Sequence, residues 1–347
     1  MINQKEFNFS KESAMGAPSN IHIHNTLSPA KITEVYTSYW KFAALRQEVF
    51  FNRVNNLQPP WSNNPILNKY KFTNAYRASD RVSQYLIKEV IYNEQFPPSP
   101  KETLFRILLF KLFNKIETWE LLLSEFGTLT YEDFDFDAYD KILSIAMDAG
   151  EKIYSAAYIM PSGGSFFGHK KKHSNHLKLI EYILERETDQ RLLGAKTLQQ
   201  AFELIKSFPG LGDFLAYQMV IDINYSNIID FSESSFVVPG PGAKGGISKC
   251  FYDTGGLNNV DIIKFMADNQ EKEFEKLGLK FQTLWGRNLQ LIDCQNLFCE
   301  VDKYARVKHP EIKGNSERIK IKQKFKGNPS PIDYWFPPKW GINNAIK

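Results

Sequence analysis

The sequence predicts an all-α fold, and two patterns support this class. Apolar and aromatic residues recur at helical spacing over residues 32–54, 101–160 and 260–298. Residues 197–224 have the pattern of two helices joined by a glycine turn. The 347 residues are enough to bury a large core, either as one elaborate domain or as two lobes.

Polarity and charge divide the chain into three parts. Residues 1–30 are polar and irregular, which predicts a loose N-terminal lead-in. His22 and His24 are spaced like a metal pair on a strand, but no carboxylate or cysteine lies near them in the sequence. Residues 31–307 form the predicted helical domain. Residues 308–347 form a basic and aromatic tail, either a solvated arm or a segment lying along a phosphate backbone.

Composition narrows the class of protein. The formal net charge is only +4, so any nucleic-acid surface must be a local patch. Three cysteines are too few for a disulfide scaffold or for the four thiolates of an iron–sulfur cluster. The sequence has neither an apolar signal region at its start nor a run of about 18 apolar residues. We therefore expect a reduced, cytoplasmic protein without a membrane span.

Polar residues crowd the start of a predicted helix near residue 80. In a structural interpretation, Asp80 caps the helix or pairs with Arg77 and Arg81. In a functional one, Asn74 and Arg77 recognise a base edge or a phosphate. The residues alone leave both interpretations open.

The segment Thr197–Asn224 has the most specific local pattern. Thr197 is placed as the N-cap of an amphipathic helix that stops at Pro209. Gly210 and Gly212 allow a sharp turn and leave its N–H groups accessible at the start of a second helix. This predicts a phosphate-binding hairpin, and the alternative is an ordinary αα-hairpin with a glycine turn.

The segment after the hairpin, residues 224–251, is rich in glycine and proline. We expect a semi-buried loop with Asp230 and Glu233 near its start and Lys244 near its end. Its scattered glycines do not form a P-loop or a dinucleotide-binding pattern. Further along, Glu300, Lys303 and Arg306 lie within about a turn and a half of one predicted helix.

The hairpin resembles the helix-hairpin-helix of DNA repair glycosylases, which holds the DNA backbone. In that superfamily an essential Asp lies some twenty residues past the hairpin glycines, a window that here contains Asp230 and Glu233. A carboxylate there stabilises oxocarbenium character on the sugar and orients water. The bifunctional members carry a lysine two residues after the second glycine, where this chain has Phe214.

Four blocks of the chain carry a wider resemblance: WSNNPILNKYKFTNAYRASDRV, SFPGLGDFLAYQMVIDINYS, DFSESSFVVPGPGAKGGISKCF and LFCEVDKYARV. In this order they resemble the alpha-glutamyl/putrescinyl thymine pyrophosphorylases, which are related to the helical domain of hydroxymethyluracil DNA kinases. The family also resembles a bacterial anti-phage DNA glycosylase acting on alpha-glucosyl-hydroxymethylcytosine. The resemblance implies bulky modified pyrimidines in DNA, and it implies a base pocket of Asn74, Tyr76, Arg77, Glu300 and Lys303.

These resemblances predict a two-lobed helix-hairpin-helix DNA glycosylase-like fold with a central cleft. The predicted function is a monofunctional DNA glycosylase with Asp230 and Glu233 as catalytic acids. It would flip out and excise a hypermodified pyrimidine, first alpha-glucosyl-hydroxymethylcytosine, and leave abasic sites as anti-phage defence. One alternative is a pyrophosphorylase acting on phosphorylated hydroxymethyl pyrimidines in DNA. Another is a non-catalytic DNA-binding module.

The remaining predictions concern ligands and partners. The predicted partner is phage DNA with bulky modified bases, bound by a monomer. No metal and no cofactor is expected, with a monovalent cation at the hairpin left open. The predicted DNA contacts are Gly210, Leu211, Gly212, Lys244 and Arg306.

Overall fold

The protein is described from a computed structural model that covers residues 30–156, 160–315, 318–327 and 332–346. Helices make up 56% of it, which confirms the predicted all-α class. The predicted N-terminal lead-in up to residue 29, with His22 and His24, lies outside the described residues.

Fifteen α-helices are found among the described residues. They are α1 (Glu34–Val54), α2 (Pro65–Lys69), α3 (Arg81–Tyr85, continued by a π-helical stretch Leu86–Ile91), α4 (Pro100–Phe113), α5 (Ile116–Phe126), α6 (Phe136–Asp148), α7 (Gly164–Phe167), α8 (Lys172–Leu184), α9 (Thr188–Leu193), α10 (Leu198–Lys206), α11 (Asp213–Asn224), α12 (Pro241–Cys250), α13 (Asn259–Asp268), α14 (Gln270–Lys276) and α15 (Leu291–Lys308). Three 3₁₀ turns are Arg77–Ser79, Pro338–Trp340 and Asn343–Ala345. Two short antiparallel strands, β1 (Lys31–Ile32) and β2 (Phe251–Asp253), join the start of α1 to the end of α12.

Two helices organise the packing. All residues of α4 from Thr103 to Phe113 are buried, and α4 contacts α8, α9 and α11. The helix α4 is therefore internal, and two of its cations, Arg106 and Lys111, are buried with its apolar residues. The second organising helix, α15, packs against α1, α12 and α13. One continuous hydrophobic cluster includes residues of both groups.

The predicted helical hairpin is present as α10 and α11. Thr197 is the N-cap of α10, and its hydroxyl accepts a hydrogen bond from the Gln200 N–H at 3.1 Å. Gly210 has φ 76°, a conformation that glycine adopts without strain. The turn between the helices therefore follows the sequence prediction. The two-lobed glycosylase-like arrangement stays a prediction.

Residues 241–250 differ from the loop predicted for them. They form α12, which starts with Pro241 in its first turn and packs closely on α15. A Cβ at Gly246 would lie 2.1 Å from the Phe298 carbonyl oxygen, and one at Gly242 would lie 3.0 Å from Cys299 Sγ. The glycines that argued against a helix are what let the two helix backbones approach, so tertiary packing overrides helix propensity.

This close approach makes a stability prediction. We expect Gly246→Ala to lower the free energy of unfolding by about 1–3 kcal/mol, because the added methyl group forces α12 away from α15. Urea denaturation of the full chain measures this, with Gly327→Ala as control because that glycine is exposed. Equal stability of the two variants would show that α12 and α15 separate without cost.

The sequence predicts three helices between residues 101 and 160, at 101–126, 137–150 and 151–160, and the structure corrects the first and the third. The first is divided into α4 and α5 at Asn114, which has φ 49°. The third is not formed over residues 151–156, while residues 157–159 lie outside the described part. The Ser155 N–H instead donates to the Phe113 carbonyl at 3.0 Å, and the Thr118 hydroxyl donates to the Ile153 carbonyl at 2.8 Å. This segment therefore ties the end of α4 to α5.

Among the helices in the described ranges, none has both the length and the apolar character of a membrane span.

Candidate functional site

A polar cleft opens where α11 ends and α15 begins. Its volume is about 220 Å³, so it is a small cleft. Asn224, the last residue of α11, shapes one wall. Its Nδ2 donates to the Phe231 carbonyl and its Oδ1 accepts from the Phe231 N–H, each at 2.9 Å. These two bonds turn the following loop back toward the cleft and place Glu233 in it.

Both predicted catalytic acids line this cleft, in different surroundings. Glu233 is 3% exposed, with its Oε2 3.4 Å from Arg287 Nη2. Its Oε1 is buried and has no hydrogen-bond partner among the described residues. Burial raises the pKa of Glu233, and the nearby Arg287 guanidinium opposes that rise. Asp230 is 78% exposed and lies 3.4 Å from Lys339 Nζ. Glu233 therefore has the environment of a proton acceptor.

Arg287 is held in place by Tyr76, which contacts its backbone, and by Trp340, which contacts its guanidinium. Tyr76, predicted for the base pocket, is buried, and its hydroxyl donates to the Arg287 carbonyl at 2.7 Å. The same hydroxyl accepts from the Leu284 N–H at 3.2 Å. The Arg287 guanidinium carbon lies 3.9 Å from the ring centroid of Trp340, in cation–π geometry. Tyr76 thus acts beneath the cleft, on the backbone that carries Arg287.

Arg77, also predicted for the base pocket, belongs to a buried ionic network. Its Nη2 lies 2.6 Å from one oxygen of Asp222, whose other oxygen lies 2.7 Å from Lys111 Nζ. Burial lowers the pKa of Lys111 to about 8. The Arg77 backbone N–H donates to Asp293 Oδ1 at 2.7 Å, and burial raises the pKa of Asp293 to about 7, with Glu233 adding to the rise. The network joins α4, α11 and α15 below the cleft.

The other predicted pocket residues form a second polar group. Asn74 Oδ1 accepts from Arg46 Nη2, and Asn74 Nδ2 donates to the Ser79 carbonyl, both at 2.8 Å. Glu300 lies 2.7 Å from Lys303 Nζ. Asn74, Glu300 and Lys303 are absent from the described lining of the cleft. The structure therefore does not bring the five predicted pocket residues together in one cavity.

The hairpin turn lies at the opposite end of α11 from the cleft. Gly210 and Gly212 are exposed, whereas Leu211 is buried. Gly212 is the N-cap of α11 and supplies no side-chain hydrogen bond, so the first N–H groups of α11 carry no side-chain cap. An ion pair crosses the turn, with Lys206 Nζ 2.8 Å from Asp213 Oδ1. Phosphate binding here, and a monovalent cation at the hairpin, stay predictions.

The remaining predicted DNA contacts lie elsewhere. Lys244 is exposed on α12. Arg306 is mostly buried and forms an ion pair with Asp302, and its Nη1 donates to the Lys320 carbonyl at 3.3 Å. Their contacts with DNA stay predictions.

A group of potential metal ligands lies apart from the cleft. His309 Nδ1 is 3.7 Å from Glu34 Oε2 and 3.6 Å from Glu311 Oε1. Both carboxylates are largely exposed, and such groups are common without an ion. The expectation that the chain needs no metal and no cofactor stays a prediction.

Several cleft residues escaped the sequence interpretation. Arg287 follows a Trp-Gly turn, Gln290 precedes α15, and Lys339 and Trp340 come from the C-terminal 3₁₀ turn. None lies at a spacing from Glu233 that a motif would reveal. A tryptophan beside prolines in the tail was a weak sign of an ordered segment.

Comparison with known proteins decides the family. Residues 33–314, more than half of the chain, match the family model described as "5-hmdU DNA kinase, helical domain". The chain belongs to this family. A 5-hmdU DNA kinase from Bacillus phage SP10 is 27% identical over 275 residues, which are 75% of this chain and 43% of that relative. The chain thus spans less than half of the relative's length. No solved structure matches.

The prediction of a monofunctional DNA glycosylase is therefore wrong. The family model and the relative both name a kinase, which transfers a phosphoryl group, and not a hydrolase of N-glycosidic bonds. Excision of alpha-glucosyl-hydroxymethylcytosine, base flipping and abasic products have no support in these comparisons. The error came from carrying an activity over from the hairpin. A hairpin that binds phosphate does not specify which bond is broken. The resemblance to a family of modified pyrimidines in DNA is supported.

Proposed function

We propose that this chain acts on a hydroxymethyl pyrimidine in DNA after its phosphorylation, replacing pyrophosphate on the 5-methylene carbon by an amine. Membership of the 5-hmdU DNA kinase helical family supports the choice of base. The observation that carries the reaction is Glu233, a buried carboxylate with one unpartnered oxygen in a polar cleft.

The reaction needs a base and a site for an anionic leaving group. The amine nitrogen bonds to the methylene carbon while the carbon–oxygen bond breaks, and pyrophosphate departs with the bonding electrons. The proton lost by the amine goes to Glu233 Oε1. A carboxylate whose pKa is raised accepts a proton more readily than an ordinary one, so burial suits Glu233 to this role.

Cationic groups in the cleft suit the pyrophosphate. The Arg287 side chain is 21% exposed and presents a planar donor group that can bind two phosphate oxygens. Lys339 adds positive charge on the same wall. Positive groups aimed at an oxygen that gains charge in the transition state accelerate its departure.

DNA binding is assigned to the hairpin. The exposed glycines 210 and 212 and the uncapped N–H groups of α11 offer a phosphate site. The 5-substituent of a pyrimidine points into the major groove, so it projects from the duplex edge that a protein can approach. The phage origin of the DNA and a monomeric state remain part of this proposal.

The test uses the full chain with a synthetic duplex containing 5-pyrophosphomethyl-deoxyuridine, with putrescine or glutamate as the amine. We expect release of pyrophosphate and a new nucleoside mass equal to base plus amine. A thymidine duplex is the control and should stay unchanged. An unchanged nucleoside mass with both amines and no pyrophosphate would contradict the proposal.

A second candidate is phosphoryl transfer to the hydroxymethyl group itself, which the name of the phage SP10 relative favours. The same measurement of nucleoside mass distinguishes the two reactions. Duplex containing 5-hydroxymethyl-deoxyuridine, incubated with ATP and Mg²⁺, gains the mass of a phosphate only if the chain is itself the kinase.

A further inference from the structure

We propose that the C-terminal segment (residues 332–346) is part of the active site, with Trp340 and Lys339 as positioning residues that hold Arg287 and the 226–233 loop in place. This inference rests on the proposed function, which supplies the reaction for which they are positioned. The segment lies beyond residues 33–314, the part that matches the family model.

The C-terminal segment is anchored before it reaches the cleft. The Tyr334 ring packs edge-to-face on Phe50 of α1, with centroids 4.9 Å apart. The Phe336 ring packs on Trp285 in the turn that carries Arg287, with centroids 5.9 Å apart. Asn343 closes the segment on itself, since its Oδ1 accepts from the Phe336 N–H at 2.8 Å and its Nδ2 donates to the Phe336 carbonyl at 2.7 Å.

Trp340 fixes the guanidinium of Arg287. Besides the 3.9 Å contact with Arg287, the Trp340 ring packs edge-to-face on Tyr225 at 5.7 Å and stacks on Phe336 at 5.9 Å. The indole is therefore held on two sides and presents one face to the arginine. Arg287 in turn lies 3.4 Å from Glu233. The position of the arginine relative to the proposed base thus depends on a residue of the C-terminal segment.

Lys339 fixes the loop that leads to Glu233. Its Nζ donates to the Ser226 carbonyl at 3.0 Å and to the Ile229 carbonyl at 2.7 Å. It also lies 3.4 Å from Asp230 Oδ1. A single ammonium group therefore contacts three oxygens of the loop, and opening the loop breaks all three contacts.

These contacts have an electrostatic consequence for Glu233. Arg287, Arg77 and Lys339 oppose the rise in the pKa of Glu233 that burial causes. If Trp340 no longer holds Arg287, or if Lys339 loses its charge, the pKa of Glu233 rises further. Asp293, Tyr217 and Tyr225 also interact electrostatically with Glu233.

The experiment compares full-length Trp340→Ala, Trp340→Phe and Lys339→Met with the wild type. We expect Trp340→Ala to lower pyrophosphate release by up to about 10²-fold, the cost of misplacing a reacting group by ~1 Å. The acid limb of its pH–rate profile should move to higher pH, because Glu233 must be ionised to accept the proton. Trp340→Phe should restore most of the rate, since phenyl also offers a ring face to the arginine. Lys141→Met, on the exposed surface of α6, is the control and should match the wild type.

Backbone hydrogen exchange gives a readout that does not need turnover. We expect faster exchange over residues 226–233 in Lys339→Met and over residues 284–289 in Trp340→Ala, with α6 unchanged in both. Wild-type exchange and a wild-type pH profile in these two variants would overturn the inference. If the wild type itself shows no reaction, faster exchange in the two loops still supports the positioning role while the proposed reaction fails.

Discussion

Replacing Glu233 by Gln is expected to lower the rate of pyrophosphate release by about 10²–10⁴-fold, the contribution typical of a general base. The amide keeps the size of the side chain but cannot accept the proton from the amine. Steady-state kinetics at saturating DNA and amine measure the effect. Glu125→Gln on the exposed surface of α5 is the matched control. A Glu233→Gln loss no larger than that of the control would remove Glu233 from the mechanism.

The pH dependence of the wild type belongs to the same prediction. Because burial raises the pKa of Glu233, its carboxylate is protonated at a higher pH than a free glutamate, whose pKa is about 4.3. The wild-type rate should therefore fall more steeply than the rate of Glu233→Gln as the pH drops through this raised value, because the variant follows only the protonation of the amine. Wild-type and Glu233→Gln profiles of the same shape from pH 4 to pH 7 would contradict the assignment.

Asp222→Asn is expected to lower the free energy of unfolding by about 3–5 kcal/mol, since it leaves buried positive charges without their anion. Asp222 is 1% exposed, and both Arg77 and Lys111 contact it while being only 4% exposed. Urea denaturation gives the loss. Asp213→Asn is the control, because its ion pair with Lys206 is exposed to solvent and contributes little to stability.

A double variant distinguishes the loss of charge balance in Asp222→Asn from a change in packing. In the Asp222→Asn background, Lys111→Met removes one of the two cations and should recover part of the lost stability. If Asp222→Asn and Asp213→Asn cost the same, the buried network contributes no more than a surface ion pair.

Local signals in the sequence predicted the hairpin well. Thr197 is an N-cap and Gly210 a left-handed turn residue, and both depend on neighbours a few positions away. The formation of α12 could not be predicted, because its glycines face α15 some fifty residues further along the chain. Helix propensity describes an isolated helix, in which glycine is unfavourable. The need for glycine at position 246 is explained only by the Phe298 carbonyl beside it.

In the candidate site, too, local sequence signals were informative and contacts between distant segments were not predictable. Glu233 was predicted because it follows the hairpin at the interval that the resemblance implies; it lines the cleft, and its catalytic role stays a prediction. Its partners Arg287 and Lys339 come from distant loops, and no spacing in one sequence relates them to Glu233. Arg77 was noticed as polar, yet its burial beneath the cleft depends on Asp222 of another helix. The family resemblance led to the helical domain of the 5-hmdU DNA kinases, but it could not specify the reaction.

On the proposed function, the length of α11 sets the distance between the phosphate-binding turn and the cleft. Twelve residues separate the glycine turn from Asn224 at the cleft, and at 1.5 Å per residue they span about 18 Å. With a rise of about 3.4 Å per base step, this distance corresponds to roughly five base pairs. On the proposed function, α11 fixes the separation between the phosphate that the turn binds and the base that reacts in the cleft. A nucleoside, or an oligonucleotide with only two or three flanking bases, would occupy one end of it and leave the other end empty.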